Sequence, residues 1–143
     1  MSLRATLALL SSILLSTCAN NPTPVRLTGT VSPNPLPVPA AAGDVSWDLE
    51  LLAYGSGSVL LERGDVQLLA ASGAKVGQTL EYWSPTNCSV CTREVRIAPG
   101  TPQRWSGKRI HYIGGEAPVR FVYTLSYVDD LGPGTLSIEV PVR

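Results

Sequence analysis

The chain has 143 residues, about the length of one domain, and its 11 basic and 11 acidic residues give a formal net charge of zero. Hydrophobic residues make up 44% of the chain and charged residues only 15%, which excludes a chain that is disordered by composition. A neutral chain also lacks the basic excess of an electrostatic nucleic-acid binder, so no nucleic-acid partner is expected.

The first 17 residues have the pattern of an export signal. Arg4 is the only charged residue in the first 25, and an apolar run follows it over residues 5–15. At 1.5 Å per residue this run would span roughly 16 Å as a helix, about half of a bilayer core. That length is typical of a signal peptide and too short for a transmembrane helix. We therefore predict that residues 1–17 are a signal peptide, with a buried N-terminal helix as the alternative.

The run ends in Leu15-Ser16-Thr17-Cys18, which resembles a bacterial lipobox. Thr17 departs from the pattern, since Gly, Ala or Ser is usual at that position. The resemblance implies lipidation of Cys18 and a membrane anchor. Because Ala19 is not the Asp that often marks inner-membrane retention, it also implies an outer-membrane or surface position in the cell envelope. The alternative is ordinary cleavage after Ala19, which would make the protein periplasmic or secreted.

The rest of the chain is predicted to be a short tether and one all-β domain. Residues 18–24 lack apolar periodicity and hold two prolines, as a stiffened tether would. In residues 25–143, short segments alternate between apolar and polar residues, as half-buried strands do. These segments are Val25–Val31, Val45–Leu51, Val66–Leu68, Leu80–Tyr82, Val95–Ile97, Ile110–Tyr112, Val119–Tyr127 and Leu136–Val142.

Glycine and proline separate these segments, and we expect turns at Gly55–Gly57, Arg63–Asp65, Ala98–Gly100 and Leu131–Gly134. The pattern predicts an immunoglobulin-like β-sandwich of about seven to nine strands, with a closed barrel as the alternative. Pro118–Val128 and Thr135–Val142 are expected to form a hairpin joined by residues 129–134. The expected core includes Trp47, Phe121, Tyr123 and Leu125.

Cys88 and Cys91 have the spacing of a CxxC motif. A redox dithiol would need a helix N-terminus in a thioredoxin-like setting, and a zinc site would need two more ligands. In a strand-rich exported chain we expect a structural disulfide between Cys88 and Cys91, and we expect no metal or other cofactor. Thiol–disulfide exchange through Cys88 and Cys91 is the enzymatic alternative.

Two further groups have the residue types of a catalytic site but not its surroundings. His111 is the only histidine and lies on a predicted strand, where a solvent-facing side chain is expected. Asp129 and Asp130 precede a Gly-Pro-Gly turn, where aspartate is an ordinary turn residue. We therefore predict no catalytic residue and no enzymatic activity.

One local excess of positive charge makes a candidate binding patch around Trp105. Its residues are Arg93, Arg96, Arg104, Trp105, Lys108 and Arg109, with Glu94 as the one acid among them. Arginine and aromatic residues together are typical of binding surfaces, and an envelope protein or polysaccharide is the expected partner. The alternative is an ordinary solvated face with Trp105 packed into a loop.

The segment Val25–Gly64 resembles the start of WHy domains, the LEA14-like stress-protein module. A strand leads into Ser32-Pro33-Asn34-Pro35, and a second strand and a glycine follow. Residues 119–142 resemble the closing hairpin of that family. The chain departs from the family at Ser32, where asparagine is preferred, and over residues 84–108. The resemblance implies a small β-sandwich without a catalytic site that acts in stress or desiccation protection.

These observations favour an exported cell-envelope lipoprotein that carries a non-catalytic binding or structural module. The alternatives are a WHy-like protective protein and a thiol–disulfide redox protein.

Overall fold

The computed structural model describes residues 26–55, 57–76 and 95–143. This part of the chain is all-β. Its seven strands are β1 (Arg26–Ser32), β2 (Gly43–Tyr54), β3 (Val59–Ala70), β4 (Val95–Ile97), β5 (Gln103–Tyr112), β6 (Pro118–Asp129) and β7 (Gly132–Pro141).

The strands form two antiparallel sheets. One has three strands in the order β1-β2-β5, and the other has four in the order β4-β3-β6-β7. The chain crosses between the sheets after β2, β4 and β5, and β1 contacts β7 across the gap. This confirms the predicted β-sandwich with immunoglobulin-like architecture, and the described residues hold seven strands of the seven to nine expected.

The core lies between the sheets and is built from the apolar residues of the alternating strands. Trp47 is at its centre, with its ring centroid 5.2 Å from that of Phe121 and 5.4 Å from that of Tyr123. Together with Leu125, these are the residues that the sequence assigns to the core, and all four are buried. Burial and the negative charge of Asp65 raise the pKa of the Tyr123 hydroxyl.

The proline-rich segment between β1 and β2 connects the two sheets. Its central residue, Leu36, is fully buried and forms a parallel bridge with Val142, just beyond β7. The Leu36 N–H donates to the Pro141 carbonyl at 2.8 Å, and the Leu36 carbonyl accepts from the Arg143 N–H at 3.0 Å. Between β1 and β2, which share one sheet, the chain is therefore hydrogen-bonded to the edge of the other sheet.

One turn prediction is wrong in a way that affects the shape of the four-stranded sheet. Arg63–Asp65 lies inside β3, where Gly64 pairs with Leu125 and the register shifts next to Glu62. The residues before and after Gly64 pair with β6, so the strand continues through the glycine. Sheet pairing therefore overrides the low strand propensity of glycine. The predicted strand at Leu80–Tyr82 lies outside the described residues.

The predicted hairpin is confirmed, but its turn is tighter than expected. β6 and β7 pair as far as Asp129 opposite Gly132, so only residues 130 and 131 form the turn. The Asp129 carboxylate accepts the Leu131 N–H at 2.8 Å. Asp129 therefore has the expected turn role, while Gly132 and Gly134 belong to a strand.

Candidate functional site

The outer face of the three-stranded sheet carries the most organised set of charged side chains in the described part of the chain. Burial alternates along each strand, and the register brings the exposed positions together. We call this surface the β2 face. Its residues are Arg26, Thr28, Thr30 and Ser32 from β1, Asp44, Ser46, Asp48, Glu50, Leu52 and Tyr54 from β2, and Arg104, Arg109 and His111 from β5.

Asp48 lies at a β-bulge in the middle of this face. Ser106 and Gly107 of β5 lie opposite this one residue, and Gly107 has a φ of +68°, which a glycine adopts without strain. The Asp48 carboxylate accepts the Gly107 N–H at 2.9 Å and Nη2 of Arg104 at 3.1 Å. These two hydrogen bonds, the first being the stronger influence, hold the pKa of Asp48 below its usual value.

Asp44 organises a second group of charges at the other end of the same strand. Nδ1 of His111 lies 2.9 Å from one carboxylate oxygen of Asp44, and Nη1 of Arg109 lies 4.0 Å from the other. All three side chains are exposed. His111 is therefore a solvent-facing residue, as its position on an alternating strand predicts.

The structure separates the residues of the predicted basic patch. Arg104 and Arg109 lie on the β2 face. Trp105 pairs with Leu49, is half-buried and packs against the core, and Lys108 lies opposite the buried Trp47. The bulge causes this arrangement. Arg104 and Arg109 are five positions apart and would lie on opposite faces of a regular strand, but the one extra residue of the bulge brings them to the same face.

Arg96 belongs to the other sheet. It is exposed and pairs with Leu60, while its neighbour Ile97 is buried in the core, so Arg96 lies on the outer face of the four-stranded sheet. Arg93, the predicted disulfide Cys88–Cys91 and the predicted lipidation site Cys18 lie outside the described residues.

The acidic residues of β2 are the part of the site that the sequence analysis missed. Asp44, Asp48 and Glu50 lie beside Arg104 and Arg109, so the local excess of basic residues along the chain is balanced in space. The alternation of β2 places these acids on one face of a strand. Only the pairing of β2 with β5 shows that this face meets the arginines.

Two shallow depressions lie on the β2 face. One, of about 310 Å³, is lined by Ser32, Pro33, Ser46, Trp47 and Asp48. The other, of about 230 Å³, is lined by Thr28, Gly29, Thr30, Glu50, Leu52 and Tyr54. Tyr54, the aromatic residue of this face, is 49% exposed. A ligand on this surface would meet oriented charges, hydroxyl groups and one aromatic ring.

Residues 26–55, 57–76 and 95–143 contain no group of three or more His, Cys, Asp or Glu side chains that could hold a metal ion. Nor do these residues include a helix long and apolar enough to cross a membrane.

No protein family matches the chain, and no curated protein matches it. The resemblance to WHy domains therefore stays a prediction from the sequence.

Proposed function

We propose that this protein is an exported lipoprotein of the bacterial cell envelope and that its β-sandwich is a non-catalytic binding module. The N-terminal apolar run and the lipobox-like Leu15–Cys18 support export and anchoring at Cys18. The β-sandwich supports a binding role, since rigid sheets of this kind hold side chains in fixed positions on their faces.

One observation carries the choice of binding surface. On the β2 face, cross-strand contacts hold Arg104 against Asp48, and Arg109 and His111 against Asp44. Exposed ion pairs contribute little to stability, commonly under about 1 kcal/mol. Stability alone therefore does not explain why several of them are aligned on this face. Their orientation suits recognition, because side chains that are already ordered lose less conformational entropy when a partner binds.

The anchoring half of the proposal is tested with a Cys18→Ser variant of the full chain. Wild-type protein made in a bacterial host is expected in the membrane fraction, with an intact mass that begins at Cys18 and includes acyl chains. Cys18→Ser is expected to leave the membrane fraction. A Cys88→Ser/Cys91→Ser variant is the control, since it keeps the anchor. Equal distribution of wild type and Cys18→Ser would contradict anchoring.

The binding half is tested by retention of the domain (residues 25–143) on an isolated cell-envelope preparation. Arg104→Ala/Arg109→Ala is expected to weaken retention. Arg120→Ala is the matched control, because Arg120 is also exposed and lies 3.6 Å from Glu139, but on the four-stranded sheet. Trp105 is left intact because its packing against the core would confuse binding with stability. Equal retention of all three proteins would exclude the β2 face as the binding surface.

A further inference from the structure

The depression beside Tyr54 combines an aromatic ring, an apolar floor and hydrogen-bonding groups. Tyr54 stands at one end of it and Glu50 at the other, four residues apart along β2 and therefore about 13 Å apart. Leu52 lies between them, and Thr28 and Thr30 face Leu52 and Glu50 from β1. The site is a short trough along the strand, open to solvent.

The polar groups of the trough are available to a ligand. Arg104, the cation beside Glu50 in the register, donates instead to Asp48, and no ion pair or side-chain hydrogen bond joins Glu50 to another described residue. Thr28 uses its hydroxyl hydrogen on the Leu52 carbonyl at 3.3 Å, so the Thr28 oxygen remains an acceptor. The lining of the trough therefore offers the Glu50 carboxylate and the Thr28 oxygen as hydrogen-bond acceptors, and Glu50 is its one charged residue.

A hexopyranose ring has the complementary chemistry. One face of the ring is rich in C–H groups, which pack on an aromatic or apolar surface, and its rim carries hydroxyl donors suited to carboxylate and threonine oxygens. The length of the trough matches two linked sugar rings. The unpaired carboxylate disfavours acidic sugars, because like charges repel.

We infer that the Tyr54 trough binds an uncharged pyranose chain, with Tyr54 stacked on one ring and Glu50 hydrogen-bonded to the hydroxyl groups of the next. This inference rests on the proposed function, in which the domain faces the polymers of the envelope. The position of the trough agrees with it. Tyr54 pairs with Arg26, only eight residues after Cys18, so a lipid on Cys18 would keep Arg26, beside the Tyr54 end of the trough, within about 28 Å of the membrane surface.

The experiment is an NMR titration of the domain with neutral tetrasaccharides, namely tetra-N-acetylchitotetraose, cellotetraose and maltotetraose, each up to about 10 mM, which is enough to saturate a site of Kd near 1 mM. Tetragalacturonic acid and trilysine are titrated in parallel. At least one neutral tetrasaccharide is expected to shift the backbone amides around Thr28, Glu50 and Tyr54. The amides around Glu139, on the four-stranded sheet, are expected to stay unchanged.

Variants separate stacking from hydrogen bonding. Tyr54→Ala is expected to weaken binding by about tenfold, whereas Tyr54→Phe keeps the ring and is expected to stay within about twofold of wild type. Glu50→Gln is expected to weaken binding several-fold. Glu139→Gln is the matched control, since it removes an exposed carboxylate from the other sheet. All of these positions are exposed, and amide spectra verify that each variant is folded.

Several results would overturn the inference: no shift with any neutral tetrasaccharide, binding that survives Tyr54→Ala, or binding of the acidic oligomer or trilysine alone. A Tyr54-dependent response to trilysine alone would make the trough a site for a cationic peptide. These outcomes are distinct from failure of the proposed function. A protein that is anchored through Cys18 and retained on the envelope but is insensitive to sugars keeps its proposed function and loses only the saccharide assignment.

Discussion

Asp48 connects local backbone geometry to the charge pattern of the β2 face. One of its carboxylate oxygens satisfies the Gly107 N–H within the bulge, and the other orients Arg104. A single side chain thus supports the irregular backbone of β5 and fixes a residue of the candidate site. Because ionisation strengthens both hydrogen bonds, and chiefly the one from the Gly107 backbone, the charge of Asp48 contributes to the stability of the fold.

The first prediction concerns acid. The folded-state pKa of Asp48 lies below its ordinary value of 3.8, so the ionised carboxylate stabilises the fold above that pH. This stabilisation is lost as the pH falls below 3.8 and through the folded-state pKa. Wild type is therefore expected to be more stable than Asp48→Asn at pH 7, with a difference that shrinks towards zero near pH 2, as measured by denaturant unfolding.

Arg104→Gln provides the control for this experiment. It removes the cation but leaves the Gly107 hydrogen bond to Asp48. At pH 7 the Arg104→Gln variant is therefore expected to lose less of the charge-dependent stability than Asp48→Asn does. A difference between wild type and Asp48→Asn that stays constant from pH 7 to pH 2 would show that the charge of Asp48 has no part in stability.

At the scale of elements, the β6–β7 hairpin depends on one aromatic ring that covers a glycine. Tyr127 pairs with Gly134, and a Cβ atom built on Gly134 would collide with the Tyr127 ring. Gly134 does not have a positive φ, so its backbone conformation alone would permit another residue. A side chain at position 134 would therefore require the Tyr127 ring to move.

The second prediction uses this contact. Gly134→Ala is expected to destabilise the protein by about 1–3 kcal/mol, because the Tyr127 ring must move from a well-packed position. In a Tyr127→Ala background the same change is expected to be neutral or stabilising, since alanine loses less backbone entropy than glycine. A double-mutant cycle of thermal or denaturant unfolding measures the coupling. Equal effects in both backgrounds would exclude the collision.

Sequence alternation predicts which segments form strands but not how β5 is oriented. The alternation of Ile110–Tyr112 correctly predicts the last three residues of β5, whereas the seven residues before them lack a clear period. The reason is the bulge at Ser106 and Gly107, which interrupts the period of two. A charge count along the chain therefore groups Trp105 and Lys108 with Arg104 and Arg109, although they lie on opposite faces.

The site was less predictable than the fold for a related reason. Apolar alternation identifies Trp47 and Phe121 as core residues without any knowledge of strand order, because every inward position in a sandwich is buried. Asp44 and Asp48 become neighbours of the β5 arginines only through the pairing of β2 with β5, whose residues are some 60 positions apart in the chain. The register between β2 and β5 depends on how the whole sandwich packs, and local sequence does not specify it.

At the scale of the whole molecule, the segment around Leu36 is a hydrogen-bonded link between the sheets. Leu36 is fully buried although it lies outside the seven strands, and its backbone bonds to residues 141 and 143 at the C-terminal end. The sandwich therefore depends on contacts between the beginning and the end of the domain, which together close one side of its core.

The third prediction follows from this position. Leu36→Ala is expected to cost about 2–5 kcal/mol, the range for truncating a buried leucine. Leu131→Ala is the matched control, because Leu131 is 60% exposed at the tip of the β6–β7 turn, and its loss is expected to stay within about 0.5 kcal/mol. Denaturant unfolding of both variants measures the difference. A similar small cost for both would show that the link contributes nothing to global stability.

The bulge at Gly107 also limits which insertions and deletions the sequence of this domain can accept during evolution. Surface loops usually accept a deleted or inserted residue, but here the loss of one residue at 106 or 107 would invert the part of β5 that precedes it. Arg104 would then turn towards the core and Trp105 towards solvent. In any alignment of this domain with a homologue, a one-residue gap at this point would exchange the buried and exposed positions of half a strand. Homologues with the same β2 face should therefore conserve the length of this segment more strictly than its side chains.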